Sequence, residues 1–222
     1  MKLLLSKGAP IEARGPFSHY TPLHFATGNG HTSTVKLLLN KGASTEAQGI
    51  YFNTPLAMAA LLGHTSTVEL LITKGASIET QTHPKLDTPL HLAARRGNTS
   101  TVKLLLSKGA PIEAQNRRKN TPLLLAARKG YTSTVELLLS RGASIKAMDV
   151  GGKTSLYHAT NKGYPDIVRL LGGGAAKLGV ASSQERRRMK PIEDIHLPPT
   201  RDFVTYHVSR SKPLPPPPRR SH

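Results

Sequence analysis

The sequence has no cysteine and no tryptophan, and only 5% of its 222 residues are aromatic. Without cysteine there is no disulfide scaffold, no thiolate metal or iron–sulfur site, no cysteine nucleophile and no S-palmitoylation. Long apolar runs are missing too. Stretches such as Val35 to Leu39 and Val102 to Leu106 fall far short of the roughly 18–20 residues that a membrane-spanning helix needs. Three leucines before Ser6, Lys7 and Gly8 are too short an apolar core for a secretory signal, which favours an intracellular location, cytoplasmic or nuclear. Negative charge is also scarce: 13 Asp and Glu stand against 31 Lys and Arg, a formal charge of +18 and a pI near 10.5. Such a field favours polyanions or acidic protein faces. The excess is spread along the chain, net +12 in residues 1–176 and net +6 in 177–222. With 37% hydrophobic residues, the chain has enough apolar material for one folded domain plus a tail.

What is present is a repeat. Thr21-Pro22-Leu23-His24 recurs as Thr54-Pro55-Leu56-Ala57, Thr88-Pro89-Leu90-His91, Thr121-Pro122-Leu123-Leu124 and Thr154-Ser155-Leu156-Tyr157, at steps of 33, 34, 33 and 33 residues. A glycine follows each motif (Gly30, Gly63, Gly97, Gly130, Gly163). Then come T-S-T-V in the first four units, a leucine-rich run, and a Gly-Ala pair at Gly42, Gly75, Gly109 and Gly142. Threonine caps a helix N-terminus by accepting an orphan backbone N–H, and proline is preorganised for the first helical position. Leu23 and Ala26 give this first helix one apolar stripe, and its glycine can take the left-handed conformation that ends it. In the second helix Val102, Leu105 and Leu106 fall on one face. Helices this short are below the roughly 12–15 residues of marginal autonomy, so each unit must stack on its neighbours.

This punctuation resembles the ankyrin repeat, most closely in Thr88-Pro89-Leu90-His91-Leu92-Ala93-Ala94-Arg95-Arg96-Gly97. The resemblance implies an all-α repeat solenoid of stacked helix-turn-helix units. It also implies β-hairpin finger loops that line a concave binding face together with the first helices. It covers a half-repeat at 1–13 and repeats at about 14–47, 48–80, 81–114, 115–147 and 148–176. Residues 177–222 form a basic, proline-rich tail expected to be disordered. Only the last unit keeps the Asp and Gly of the finger turn (Asp149, Gly152). Phe52, Leu86 and Lys119 stand at the equivalent position and are expected to resist φ > 0. The loops before Thr21 and Thr88 are one residue longer and hold Pro16 and Pro84. The family's hydroxylatable Asn position is occupied by Glu46, Glu79, Glu113 or Lys146, so that modification is not expected.

Lys2 to Ala13 is identical to Lys103 to Ala114, so the chain begins inside a second helix, and Leu3 to Leu5 lack a covering first helix. This favours a truncated start and a fragment of a larger protein, whose effector domain lies elsewhere, as one reading. After Gly172-Gly173-Gly174 the repeat pattern dissolves, and this glycine run reads as a loose terminus. In the tail, Arg186 to Lys190 reads as a solvated charge run, with a basic nuclear-import cluster as the alternative. Pro215, Pro218 and Arg220 fit P-x-x-P-x-R, a docking motif for aromatic-lined grooves.

No catalytic motif is visible, and no cofactor or metal ligand set is expected. The histidines repeat by position (His24 with His91, His31 with His64), which points to hydrogen bonds between units. Surface chemistry remains. The finger tips and the last residues of the first helices present Ile50, Tyr51, Leu61 and Leu62 in one unit. The next two present Lys85, Arg95 and Arg96, then Arg117, Arg118, Arg128 and Lys129. An apolar strip beside a basic field points to a non-enzymatic, monomeric protein-interaction scaffold or adaptor for an acidic, partly apolar protein segment. The second reading is a polyanion or nucleic-acid module, suggested by the charge and opposed by the scarcity of stacking aromatics.

Overall fold

Each Thr-Pro motif opens a helix, as its chemistry requires. The computed structural model describes residues 8–15 and 19–177. Within them the first helices of five successive units are α1 (Pro22–Gly28), α3 (Pro55–Leu62), α5 (Pro89–Arg96), α7 (Pro122–Lys129) and α9 (Ser155–Asn161). The second helices are α2 (Thr32–Asn40), α4 (Thr65–Thr73), α6 (Thr99–Ser107), α8 (Thr132–Ser140) and α10 (Pro165–Lys177). The hydroxyls of Thr54, Thr121 and Thr154 accept the N–H three residues on, at 3.2, 3.4 and 3.3 Å. Gly63, Gly97 and Gly130 end their helices in the left-handed conformation with φ of 78°, 72° and 82°.

The first four units bury the same residues. Leu23, Leu56, Leu90 and Leu123 of the first helices meet Val35 and Leu38, Val68 and Leu71, Val102 and Leu105, and Val135 and Leu138 of the second, all inaccessible to solvent or nearly so. Ile167 and Leu171 continue the row in α10. First helices pack on first helices and second on second along the array. Truncating one such leucine to alanine costs about 2–5 kcal/mol, because a short helix has little else holding it.

Polar ladders fix the stacking register. Thr32, Thr65 and Thr99 share hydroxyl–hydroxyl hydrogen bonds of 2.8 Å with Thr67, Thr101 and Thr134 of the next unit. The ladder ends where Ile167 replaces the hydroxyl. Glu12, Glu46 and Glu113, at the position where the family often has Asn, accept the backbone N–H of Ser44, Ser77 and Ser144 in the next loop, at 2.8, 2.9 and 2.8 Å. For Glu79 the matching residue of the next loop is Pro111, which has no N–H to give.

The run Gly172-Gly173-Gly174 is not a loose terminus: α10 continues through it to Lys177. Ala175 and Ala176, the strongest helix formers, follow it, and no proline interrupts. Leu3 to Leu5, Pro16, the Arg186 to Lys190 run and the tail motif of Pro215, Pro218 and Arg220 lie outside the described residues.

Candidate functional site

The loops between units are tight turns, each closed by a backbone bond from its first residue to one four or five residues on. The N–H of Gly49, Asn116 and Asp149 donates to the carbonyl four residues on (Asn53, Asn120, Lys153) at 3.0, 3.1 and 3.1 Å. Those of Gly15 and Thr82 donate to the carbonyl five residues on (Tyr20, Asp87) at 3.1 and 3.0 Å, one residue further than in the other loops. Among the described residues the fingers contain no strand, only isolated antiparallel bridges at Thr82 with Asp87 and at Met148 with Thr154.

The expectation that bulky residues would resist the left-handed turn is overturned. Leu86 and Lys119 sit at φ of 57° and 55°, His19 at 53°, and Gly152 at 68° in the last finger. In the second finger Tyr51, not Phe52, takes the left-handed position, at φ 59° within the short 3-10 turn Ile50–Phe52. The local cost is overridden by bonds on either side. Lys119 N–H donates to Asn116 O at 2.8 Å, and Asn116 Oδ1 accepts from the N–H of Arg118 and of Asn120, both at 3.0 Å.

Successive fingers are joined tip to tip. His83 N–H donates to Tyr51 O at 2.8 Å, Arg117 N–H to Lys85 O at 2.9 Å, and Val150 N–H to Arg118 O at 3.0 Å. Finger side chains of neighbouring units are thereby held side by side.

On this framework the structure brings together Lys85 and Arg118 from the fingers with Arg95 and Arg128 from the ends of α5 and α7. Partial desolvation, although the side chain is exposed overall, and then the charges of Arg95, Arg118 and Arg128 push the Lys85 ammonium below its ordinary pKa, with Asp87 opposing. Arg128 is pushed down by burial and by Arg118 and Arg95, with Asp149 and Asp87 opposing. A guanidinium does not deprotonate, so for Arg128 the direction means a cation held chiefly at a desolvation cost, to which Arg118 and Arg95 add repulsion, and which a bound anion would offset. Both carboxylates are already engaged. Asp87 takes Asn116 Nδ2 at 2.6 Å and Arg95 Nη1 at 3.5 Å. Asp149 takes His158 Nε2 at 2.9 Å and the N–H groups of Gly151 and Lys153. Arg96, Arg117 and Lys129 are exposed and lie outside this mutual group.

The apolar positions separate. Tyr51 and Leu62 are exposed, whereas Ile50 and Leu61 are half-buried. Sequence reasoning missed Phe25, which is 54% exposed although its counterparts Met58, Leu92 and Leu125 are buried. It also missed Met148 and Val150 on the last finger, 53% and 65% exposed. A finger-tip reading extended to that unit would have found Val150.

The histidines bind units to one another. His24 and His91 accept the N–H of Thr21 and Thr88 at Nδ1, both at 3.2 Å, and donate from Nε2 to Asn53 O and Asn120 O of the next finger at 3.0 and 2.9 Å. His64 Nε2 donates back to Gly28 O at 3.2 Å, while His31 in the same slot is exposed.

A family model described as ankyrin repeats (3 copies) matches residues 1–82 and 90–179. The chain belongs to the ankyrin-repeat family. Ankyrin repeats are generally protein–protein interaction modules and typically non-enzymatic. No curated protein matches the chain. Among the described residues no group of three or more His, Cys, Asp or Glu converges to hold a metal ion, and no helix is long and apolar enough to cross a membrane. In ankyrin terms the Lys85, Arg95, Arg118 and Arg128 group spans the third and fourth full repeats, and Phe25, Tyr51 and Leu62 belong to the first two.

Proposed function

We propose that this ankyrin array is a non-enzymatic scaffold that binds an acidic, partly apolar protein segment along the face formed by its fingers and first helices. One observation carries the reading: Lys85, Arg95, Arg118 and Arg128 crowd one another on two adjacent repeats, beside the exposed Tyr51 and Leu62. Fixed like charges cost stability through repulsion, and an acidic ligand would relieve it. Exposed aromatic and leucine side chains supply the desolvated anchor contacts that steering charges do not. The part-apolar character distinguishes this reading from polyanion binding, which the +18 charge also supports.

The test is selection from a random displayed peptide library on the full chain, followed by titration of the selected peptides. Enrichment of acidic sequences with one apolar position is expected, with weakened binding to an Arg95→Glu/Arg118→Glu variant. Enrichment indifferent to these substitutions would place the interaction elsewhere. Preferred binding of a single-stranded oligonucleotide, with a log–log salt slope near minus 0.7 per phosphate neutralised, would favour the polyanion reading.

A further inference from the structure

Resting on the reading of this face as a protein-segment site, we infer that Lys85, Arg95, Arg118 and Arg128 form a seat for a phosphorylated side chain. An apolar residue of the same segment then rests on Tyr51 and Leu62. The charge count points to a dianion. Four cations and the two carboxylates within their reach, Asp87 and Asp149, leave a net +2. A phosphomonoester carries about −1.5 to −2 near neutral pH, whereas a carboxylate carries one charge and two oxygens. Asp87 and Asp149 are held by their own hydrogen-bond partners. Among the described residues no carboxylate lies within ion-pair distance of Lys85, Arg118 or Arg128.

The seat is built in advance. Arg117 N–H on Lys85 O and Val150 N–H on Arg118 O, at 2.9 and 3.0 Å, fix the two finger tips that carry Lys85 and Arg118. Asp87 fixes Arg95 at 3.5 Å, and Asn120 Oδ1 takes Arg128 Nη1 at 3.5 Å. Binding then has to order the exposed Lys85 and Arg118 side chains, but not the fingers that carry them.

The fold also sets a spacing. Packed helices lie about 8–10 Å apart, so Tyr51 and Leu62 on the second repeat stand roughly 10–15 Å from a seat shared by the third and fourth. An extended segment advances about 3.3 Å per residue, which separates the apolar residue from the phosphorylated one by about three to five positions.

The experiment uses the full chain and fluorescein-labelled synthetic peptides in which phenylalanine and phosphoserine are separated by a Gly/Ser spacer of about three residues, in both orders. Twins carry serine or glutamate in place of phosphoserine. The phosphopeptide in the favoured order is expected to bind about tenfold tighter than the serine twin and clearly tighter than the glutamate twin. Arg118→Gln/Arg128→Gln should erase that preference, while Leu62→Ala weakens phosphorylated and plain peptides by the same factor and preserves it. Lys103→Gln, on the exposed side of α6, should change nothing. Thermal unfolding of each variant confirms that the array is intact.

Equal affinity for the glutamate and phosphoserine peptides would overturn the phosphate seat and leave the acidic-segment reading standing. Retained preference in Arg118→Gln/Arg128→Gln, or no phosphopeptide binding up to about 1 mM, would also overturn the seat. Complete displacement of the phosphopeptide by an oligonucleotide that ignores Leu62→Ala would overturn both readings.

Discussion

Asn116 Nδ2 donates to Asp87 Oδ1 at 2.6 Å across the boundary between two repeats, and Asp87 is only 1% exposed. The same Asn116 accepts the N–H groups of Arg118 and Asn120 at its Oδ1, so this pair orders the fourth finger. Asp87 also tethers Arg95 at 3.5 Å. Replacing Asp87 by Ala strands a buried amide donor and frees a cation inside the basic group. The expected loss is about 2 kcal/mol, read as a lower midpoint in urea-induced unfolding. Asp87→Asn, which retains an acceptor, should lose less; equal stability of Asp87→Ala and wild type would mean the pair contributes nothing net.

Lys119 is exposed and holds a left-handed φ of 55°, where the last finger has Gly152 at 68°. A Cβ in that region costs about 1–2 kcal/mol, part of which returns as the greater unfolded-state freedom of glycine. Lys119→Gly should therefore stabilise the array by about 0.5–1 kcal/mol, and Lys119→Ala should not. Thermal unfolding of the two variants side by side decides the matter, and a less stable glycine variant would refute the strain argument.

His24 and His91 are held below the ordinary histidine pKa, chiefly by burial. Each accepts a backbone N–H at Nδ1 and donates from Nε2, an arrangement only the neutral ring satisfies. A lowered folded pKa means the unfolded chain binds protons more readily. Stability is thus fully present above about pH 6.5 and declines as pH falls from there through the lowered folded values. Unfolding midpoints measured between about pH 7.5 and 5 should fall, and His24→Gln/His91→Gln should flatten the decline while lowering the plateau. An unchanged slope in that double variant would assign the pH response to other groups.

The repeat punctuation was legible because capping and termination are local chemistry: Thr54 can take the Ala57 N–H and Gly63 can turn left-handed whatever lies next door. Contacts between repeats were less so. Nothing in T-S-T-V announces that Thr65 will meet Thr101, nor that Glu46 will reach Ser77, because both bonds depend on stacking register. Leu86 and Lys119 were misread because side-chain preference was weighed without the flanking bonds that dictate the turn. At the candidate face, residue type placed Tyr51 and Leu62 in the open, yet only the assembled array shows which cations crowd one another. Phe25 escaped notice because its counterparts in later repeats are core residues.

Charged residues on the finger face should govern association more than retention. Reversing Arg95 and Arg118 to Glu is expected to slow the association of an acidic peptide and flatten its salt dependence, and Tyr51→Ala mainly to speed dissociation. Stopped-flow mixing at several salt concentrations separates the two rates. Equal effects of both kinds of variant on association would argue against a division between steering charge and apolar anchor.

The most direct measurement is a charge swap between the array and a library-selected acidic peptide, followed by titration calorimetry. The account predicts that Arg95→Glu/Arg118→Glu loses the acidic peptide and gains the version whose acidic residues are changed to lysine, while wild type shows the opposite preference. Undiminished binding of the acidic peptide to the reversed-charge array would contradict the claim that this face receives it.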